Sequence, residues 1–254
     1  MVNGTVSREP ESPPALRYDG LMNDVPPYRV LETLLSRKPR ASSLEVAVLS
    51  ISAILGVSLL AWWNGADLLP TLAATSQGVL QEHEYWRLVT SIAVHADLEH
   101  FLSNAIFVAA FSYLLFGYFG FWVFPVLGVV MTGLAHYLSL LSYSHAVGLV
   151  GASGLVYWMT GFWLSMYLLV NRDLGLGTRV MRVVVVAMAV LLPTTFQENV
   201  SYRTHAIGFG LGVGSAFAYF LMYRESIRTA EVVEVEEEDL YDDSKEPSLS
   251  RKSH

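Results

Sequence analysis

The stretch GASGLVYWMTGFWLSMYLLV, residues 151–170, runs through twenty positions without a single charge. A helix rises about 1.5 Å per residue, so this length covers the roughly 30 Å hydrocarbon core of a bilayer. Backbone groups in lipid find no water and must bond to one another, which selects helix over irregular chain. Its head carries Ser153 between Gly151 and Gly154. A serine there is either a bland packing residue or a reactive one, and what else reaches the same depth decides between the two.

The rest of the chain has the same character. It is 53% hydrophobic and 15% charged, where soluble chains usually carry about 25% charged residues. Mean hydropathy is +0.41. Apolar runs place spans at Leu44–Trp63, Leu98–Phe116, Phe121–Leu141, Ala152–Val170, Val180–Pro193 and Thr204–Met222. The fifth is short and extends upstream to Leu176 at most. Arg29, Arg37, Lys38 and Arg40 precede the first span, Arg172, Arg179 and Arg182 lie between the fourth and fifth, and Arg224 and Arg228 follow the sixth. Basic flanks stay cytoplasmic, so both termini are expected inside, with Arg87 and Arg203 as outside exceptions. The expected fold is an all-α polytopic membrane protein, a bundle of six transmembrane helices in the cell membrane.

The ends differ in composition. Residues 1–28 are rich in Pro, Ser and Glu and hold no apolar signal-peptide core. Residues 231–243, EVVEVEEEDLYDD, are an acidic run that carries much of the net charge of −7. The expected organisation is a flexible cytoplasmic region over 1–40, a membrane domain over 41–224 and an acidic cytoplasmic tail over 225–254. The chain has no cysteine, which removes disulfides, thiol nucleophiles and cysteine metal sites.

Ionisable residues at membrane depth are costly, and each needs a reason. His95 and His100 flank the start of the second span, Ser153 begins the fourth and His205 begins the sixth. Alternating spans bring those three starts to one level, on the outer side. Asn104 follows His100 by one helical turn and shares its face. Gly151 and Gly154 permit close backbone approach around Ser153, and Gly208 and Gly212 form a small-residue face after His205 that suits tight helix packing.

These residues fit one chemistry. A serine hydroxyl needs a base to become a nucleophile, and His205 serves as that base and then as the acid for the leaving amine. Attack on an amide carbonyl creates an oxyanion, for which His100, the Asn104 amide and the Ser153 backbone N–H are the candidate donors.

At these residues the chain resembles the rhomboid family of intramembrane serine proteases. EYWRLVTSIAVHADLEHFLSN (84–104) is similar to the family's Trp-Arg loop and its His, His and Asn positions; GASG (151–154) to its serine signature; HAIGFGLG (205–212) to its histidine-and-glycine helix. The resemblance covers roughly residues 44–222. It implies six helices around a water-accessible cavity open to the outside, Ser153 as nucleophile, His205 as base, and an oxyanion hole of His100, Asn104 and Ser153. It further implies supporting roles for His95, for Tyr157 packed against the catalytic histidine, and for Trp86 and Arg87 in the loop after the first span. Thr204 departs from the pattern, since many relatives have alanine before the histidine. The implied partners are transmembrane protein substrates and membrane lipid, with no cofactor, metal or nucleic acid.

Three other classes compete. A zinc hydrolase would draw on His95, His100 and His205, but leaves Ser153 unexplained. A transporter needs no nucleophile, base and oxyanion set. A catalytically silent rhomboid-like chaperone or trafficking factor usually lacks the serine or the histidine, and this chain keeps both. His83, His136, His145 and His254 match no functional position and are expected in loops, packing or tails.

Overall fold

The computed structural model describes residues 28–64, 68–143, 146–191 and 201–235. Its main unit is Val30–Glu234; the second, Met1–Arg29 with Val235–His254, contributes only Tyr28, Arg29 and Val235 to the described residues. The helices are α1 (Ser43–Trp63), α2 (Leu68–Leu72), α3 (Arg87–Ala93), α4 (Leu98–Phe119), α5 (Gly128–Ser142), α6 (Ser153–Val170), α7 (Leu176–Leu191) and α8 (Tyr202–Thr229). Four short strands accompany them: β1 (Tyr28–Glu32), β2 (Ala74–Thr75), β3 (Gly148–Leu149) and β4 (Val232–Val235), paired β1 with β4 and β2 with β3.

Among the described residues, five helical stretches are long and apolar enough to cross a membrane: Ser43–Trp63, Leu98–Phe119, Trp122–Ser142, Ser153–Val170 and Tyr202–Thr229. The chain is therefore an all-α multi-pass membrane protein. The expected fifth span corresponds to α7, whose 16 residues reach about 24 Å, short of the roughly 30 Å core. Pro193, its expected end, lies outside the described residues, as do His145 and His254. The third crossing is bent rather than straight. Phe124 leaves the helical region (φ −134, ψ 126) before Pro125, because a proline ring disfavours α geometry in the residue ahead of it.

Local chemistry sets the helix ends. Asp97 caps α4 by accepting the His100 N–H at 2.8 Å, and Ser201 caps α8 by accepting the Thr204 N–H at 3.3 Å. Glu45 and Glu99 stand in the first turns of α1 and α4, where a carboxylate suits the positive end of the helix dipole. Helix α6, by contrast, starts at Ala152 with no side-chain cap.

Burial orders the bundle. The apolar window of α6 is 67% buried, against 17% for α1 and 22% for α8, so α6 is the central post. Trp158, Met159, Phe162, Met166 and Val170 on it are fully buried. Leu44, Val48, Leu49, Leu59, Leu60 and Trp63 of α1 face outward, as lipid-contacting side chains must.

The terminal strands fall where composition suggested solvated tails. Within Val30–Glu234, Thr33 is wholly buried and donates to Asn171 Oδ1 at 3.1 Å. Glu231, the first residue of the acidic run, is buried between Arg228 at 2.6 Å and Arg172 at 3.6 Å.

Candidate active site

Helices α6 and α8 lie side by side in parallel. A methyl group on Gly208 would meet the Gly154 carbonyl at 2.8 Å, and one on Gly212 would collide with the Trp158 carbonyl. Backbone approach this close is open only to glycine and gives lipid-embedded helices their packing contact. Trp158 Nε1 adds a hydrogen bond to Ser215 Oγ at 3.3 Å. The pairing of 154 with 208 and 158 with 212, followed back toward the helix starts, brings the first turn of α8 level with the first residues of α6.

His205 stands in that first turn, 4% exposed. Its ring stacks on Tyr157 with centroids 4.0 Å apart and planes 11° from parallel. Tyr157 lies one turn beyond Ser153 on α6, so the half-buried Ser153 heads the face of α6 on which Tyr157 meets His205. His205 Nδ1 is buried with no hydrogen-bond partner among the described residues. The ring is oriented by aromatic stacking, with no carboxylate on its Nδ1 among the described residues.

The loop ahead of Ser153 is fixed from several sides. Gly151 has φ +100, a left-handed conformation, and any side chain there would run into the His100 ring at 2.6 Å. Its N–H donates to the Ser91 carbonyl at 2.8 Å. Strand β3 pairs antiparallel with β2, Ala74 opposite Leu149 and Thr75 opposite Gly148, tying the loop to the α1–α4 connection.

His95 forms the tightest of these ties. Ser58 donates its one hydroxyl proton to the Ala93 carbonyl at 3.1 Å, so at 3.2 Å it can only accept from His95 Nδ1–H. His95 Nε2 then accepts the Ala152 N–H at 3.2 Å, and Trp62 Nε1 holds the His95 carbonyl at 2.8 Å. This relay requires a neutral imidazole. Burial indeed lowers its pKa from 6.5 to about 3, with His100 adding to the drop and Asp97 opposing it. Both ring nitrogens are occupied, which removes His95 from any three-histidine zinc site.

The candidate oxyanion donors gather at the same end. The His100 ring packs edge-on against His95, centroids 5.0 Å apart at 72°, and touches the Gly151 backbone. Asn104 is 6% exposed. Its amide donates to the His100 carbonyl at 2.8 Å and makes a longer contact to Ser103 Oγ at 3.5 Å, which orients the group. Asn104 also lines a small pocket with His95, Ala152, Ile51 and Ile54. The uncapped first turn of α6 supplies the Ser153 N–H.

Trp86 and Arg87 lie in the α1–α4 connection, the loop expected for them. Arg87 pairs with Glu84 at 2.5 Å, donates to the carbonyls of Pro70, Thr71 and Ala73, and stacks over the exposed Trp86 ring at 4.9 Å.

One pair escaped the sequence reading. Ser91 Oγ and His136 Nδ1 are 3.0 Å apart, and His136 Nε2 lies 3.1 Å from where a Cβ on Gly154 would stand. Ser91 is wholly buried and His136 is 2% exposed, so this hydroxyl reaches no substrate carbonyl. The pair braces the Gly151–Gly154 segment from behind. An ionisable residue inside an apolar span was the available signal. His83, with φ +58 and a contact to Tyr85 at 3.2 Å, is a loop residue as expected.

A family profile described as "Rhomboid domain" matches residues 82–223. The chain is also 28% identical over 149 residues to a Bacillus subtilis (strain 168) protein named "Putative rhomboid protease YdcA", a match that covers 57% of this chain and 71% of that protein.

Proposed function

Because the chain belongs to the rhomboid family, whose domain covers more than half of it, we propose that it is an intramembrane serine endopeptidase in which Ser153 is the nucleophile and His205 the base. The observation that carries this reading is the Tyr157–His205 stack within the glycine-lined α6–α8 contact. It turns the imidazole toward the face of α6 that Ser153 heads.

The chemistry follows from the groups present. The Ser153 hydroxyl attacks the substrate carbonyl carbon while His205 takes its proton. Negative charge builds on the carbonyl oxygen, where the Ser153 N–H, the Asn104 amide and His100 donate. Collapse breaks the C–N bond, and His205 returns its proton to the leaving amine. Water then attacks the acyl-serine ester, again through His205, releasing the acid and restoring the hydroxyl. A peptide bond inside an intact helix hides its carbonyl, so the substrates are transmembrane segments that unwind near the cut.

Topology completes the proposal. Helices α6 and α8 run parallel, which supports a recrossing of the bilayer between them and hence a sixth span that includes α7. The basic residues at 172, 179, 182, 224 and 228 support cytoplasmic termini, with the site opening to the outer side. The membrane domain then runs over 41–224, between a cytoplasmic N-terminal region and an acidic cytoplasmic tail.

The decisive experiment incubates the purified protein in liposomes with a panel of single-span proteins and with a serine-directed fluorophosphonate. Cleavage should vanish in folded Ser153→Ala and His205→Ala variants, and the label should map to Ser153. Label on Ser91, or full cleavage by Ser153→Ala, would overturn the assignment. Absence of both labelling and cleavage in the folded wild type would favour the silent chaperone reading.

A further inference from the structure

Thr204, directly ahead of His205, is 3% exposed, and its hydroxyl sits in a chain of hydrogen bonds. Thr204 Oγ1 lies 2.6 Å from Ser139 Oγ on α5 and 2.7 Å from Ser201 Oγ. Ser201 Oγ accepts the Thr204 N–H at 3.3 Å and is 2.9 Å from Tyr143 OH. With one lone pair taken by that amide, Ser201 accepts from one hydroxyl neighbour and donates to the other. The order Tyr143 to Ser201 to Thr204 to Ser139 gives each of the first three hydroxyls an acceptor. Arg203 reinforces the same join, its guanidinium 4.6 Å over the Tyr143 ring and hydrogen-bonded to the Ser142 carbonyl.

The other face of Thr204 turns to the nucleophile. Its Cγ2 lies 3.3 Å from where a Cβ on Gly154 would stand, one residue past Ser153. His205 Nδ1 has no polar partner among the described residues. The position of the base therefore depends on the backbone of the first turn of α8 and on the Tyr157 stack.

We infer that Thr204 is a positioning residue for the general base, acting through the hydroxyl chain that ties the first turn of α8 to the end of α5; this rests on the Ser153–His205 reading above. An alanine at this position has no hydroxyl to reach Ser139 or Ser201. In this protein the hydroxyl sets the angle at which His205 meets Ser153. Misplacement of a reacting group by about 1 Å costs up to roughly 10²-fold in rate, so a partial loosening of the turn falls below that.

The test measures kcat and KM for a single-span substrate in liposomes, the rate of Ser153 labelling by the fluorophosphonate, and the unfolding temperature. Thr204→Ala should lower kcat and the labelling rate roughly tenfold with KM unchanged. Thr204→Ser keeps the hydroxyl and should stay near wild type, whereas Thr204→Val keeps the shape and should behave like Thr204→Ala. Ser139→Ala should show the same defect, and the double variant should be no worse than Thr204→Ala, because both break one link. Wild-type kcat in Thr204→Ala overturns the inference, as does an active Thr204→Val beside an impaired Thr204→Ser. If Thr204→Ala fails to fold, Ser139→Ala decides alone, and wild-type kcat there overturns it. Wild-type protein labelled at a residue other than Ser153 refutes the dyad reading itself; correct wild-type labelling with an unaltered rate in Thr204→Ala refutes the positioning role alone.

Discussion

Replacing His95 by glutamine should make stability less sensitive to acid. In the folded protein His95 is neutral, because it gives its Nδ1 proton to Ser58 and accepts from Ala152, and its pKa is lowered to about 3. In the unfolded chain it returns to about 6.5. Above pH 7 both states are neutral and the group contributes nothing to the pH dependence. As pH falls through 6.5 toward 3, only the unfolded chain takes up the proton, so stability is progressively lost. With the folded pKa well below 5, the loss between pH 7 and pH 5 amounts to about 2 kcal/mol. Glutamine keeps an acceptor for the Ala152 N–H but leaves Ser58 without its donor, a cost of about 1 kcal/mol. Wild type should therefore be the more stable protein at pH 7, and His95→Gln the more stable at pH 5. Reversible unfolding in mixed micelles, followed by tryptophan fluorescence at pH 5, 6 and 7, measures the difference directly. A difference that stays constant over this range would refute the neutral-histidine relay.

Other perturbations probe the remaining parts of the site. Asn104→Ala should lower kcat by about 10²- to 10³-fold with little change in substrate affinity, as loss of one oxyanion donor does in soluble serine proteases; steady-state kinetics at matched unfolding temperature checks it. Gly151→Ala forces a side chain into a left-handed conformation against His100, a strain of about 1–3 kcal/mol, and should reduce fluorophosphonate labelling of Ser153 while the bundle stays assembled. Gly212→Ala pushes α8 off the Trp158 carbonyl and should destabilise the protein by about 1–3 kcal/mol, read from the same micelle unfolding. Reporter fusions after residues 118 and 175 should report the cytoplasm, and one after residue 198 the outside; a cytoplasmic signal at 198 would remove the sixth crossing.

Five of the expected spans were legible because the signal for a crossing is local. Twenty uncharged positions announce a crossing whatever surrounds them, and His100 with Asn104 share a face by helical arithmetic. The supporting bonds were hidden because they join distant residues. Ser58, His95 and Ala152 are separated by 37 and 57 positions, and a serine within α1 looks like any other small residue until a partner arrives from elsewhere. Ser139 and Thr204 are 65 apart. His136 did advertise itself as an ionisable side chain in an apolar run, yet its partner Ser91 sits on the seven-residue α3, too short for periodicity to reveal. The fifth expected span is the exception: α7 has 16 residues, which is short of a crossing by itself. At the ends, the acidic character of 231–243 masked the alternating VVEV that forms β4.

In the proposed assignment the reactive pair is divided between α6 and α8, with a consequence for biogenesis. Synthesis runs from the N-terminus, so the nucleophile loop, its histidine anchor and the oxyanion donors enter the membrane before the base exists. Until residues 201–229 emerge and their glycine face settles against α6, the protein holds a serine that nothing deprotonates. A hydrolase that works among the membrane segments of other proteins is thus inert while it is being inserted beside them. In this assignment its activity switches on with the docking of α8.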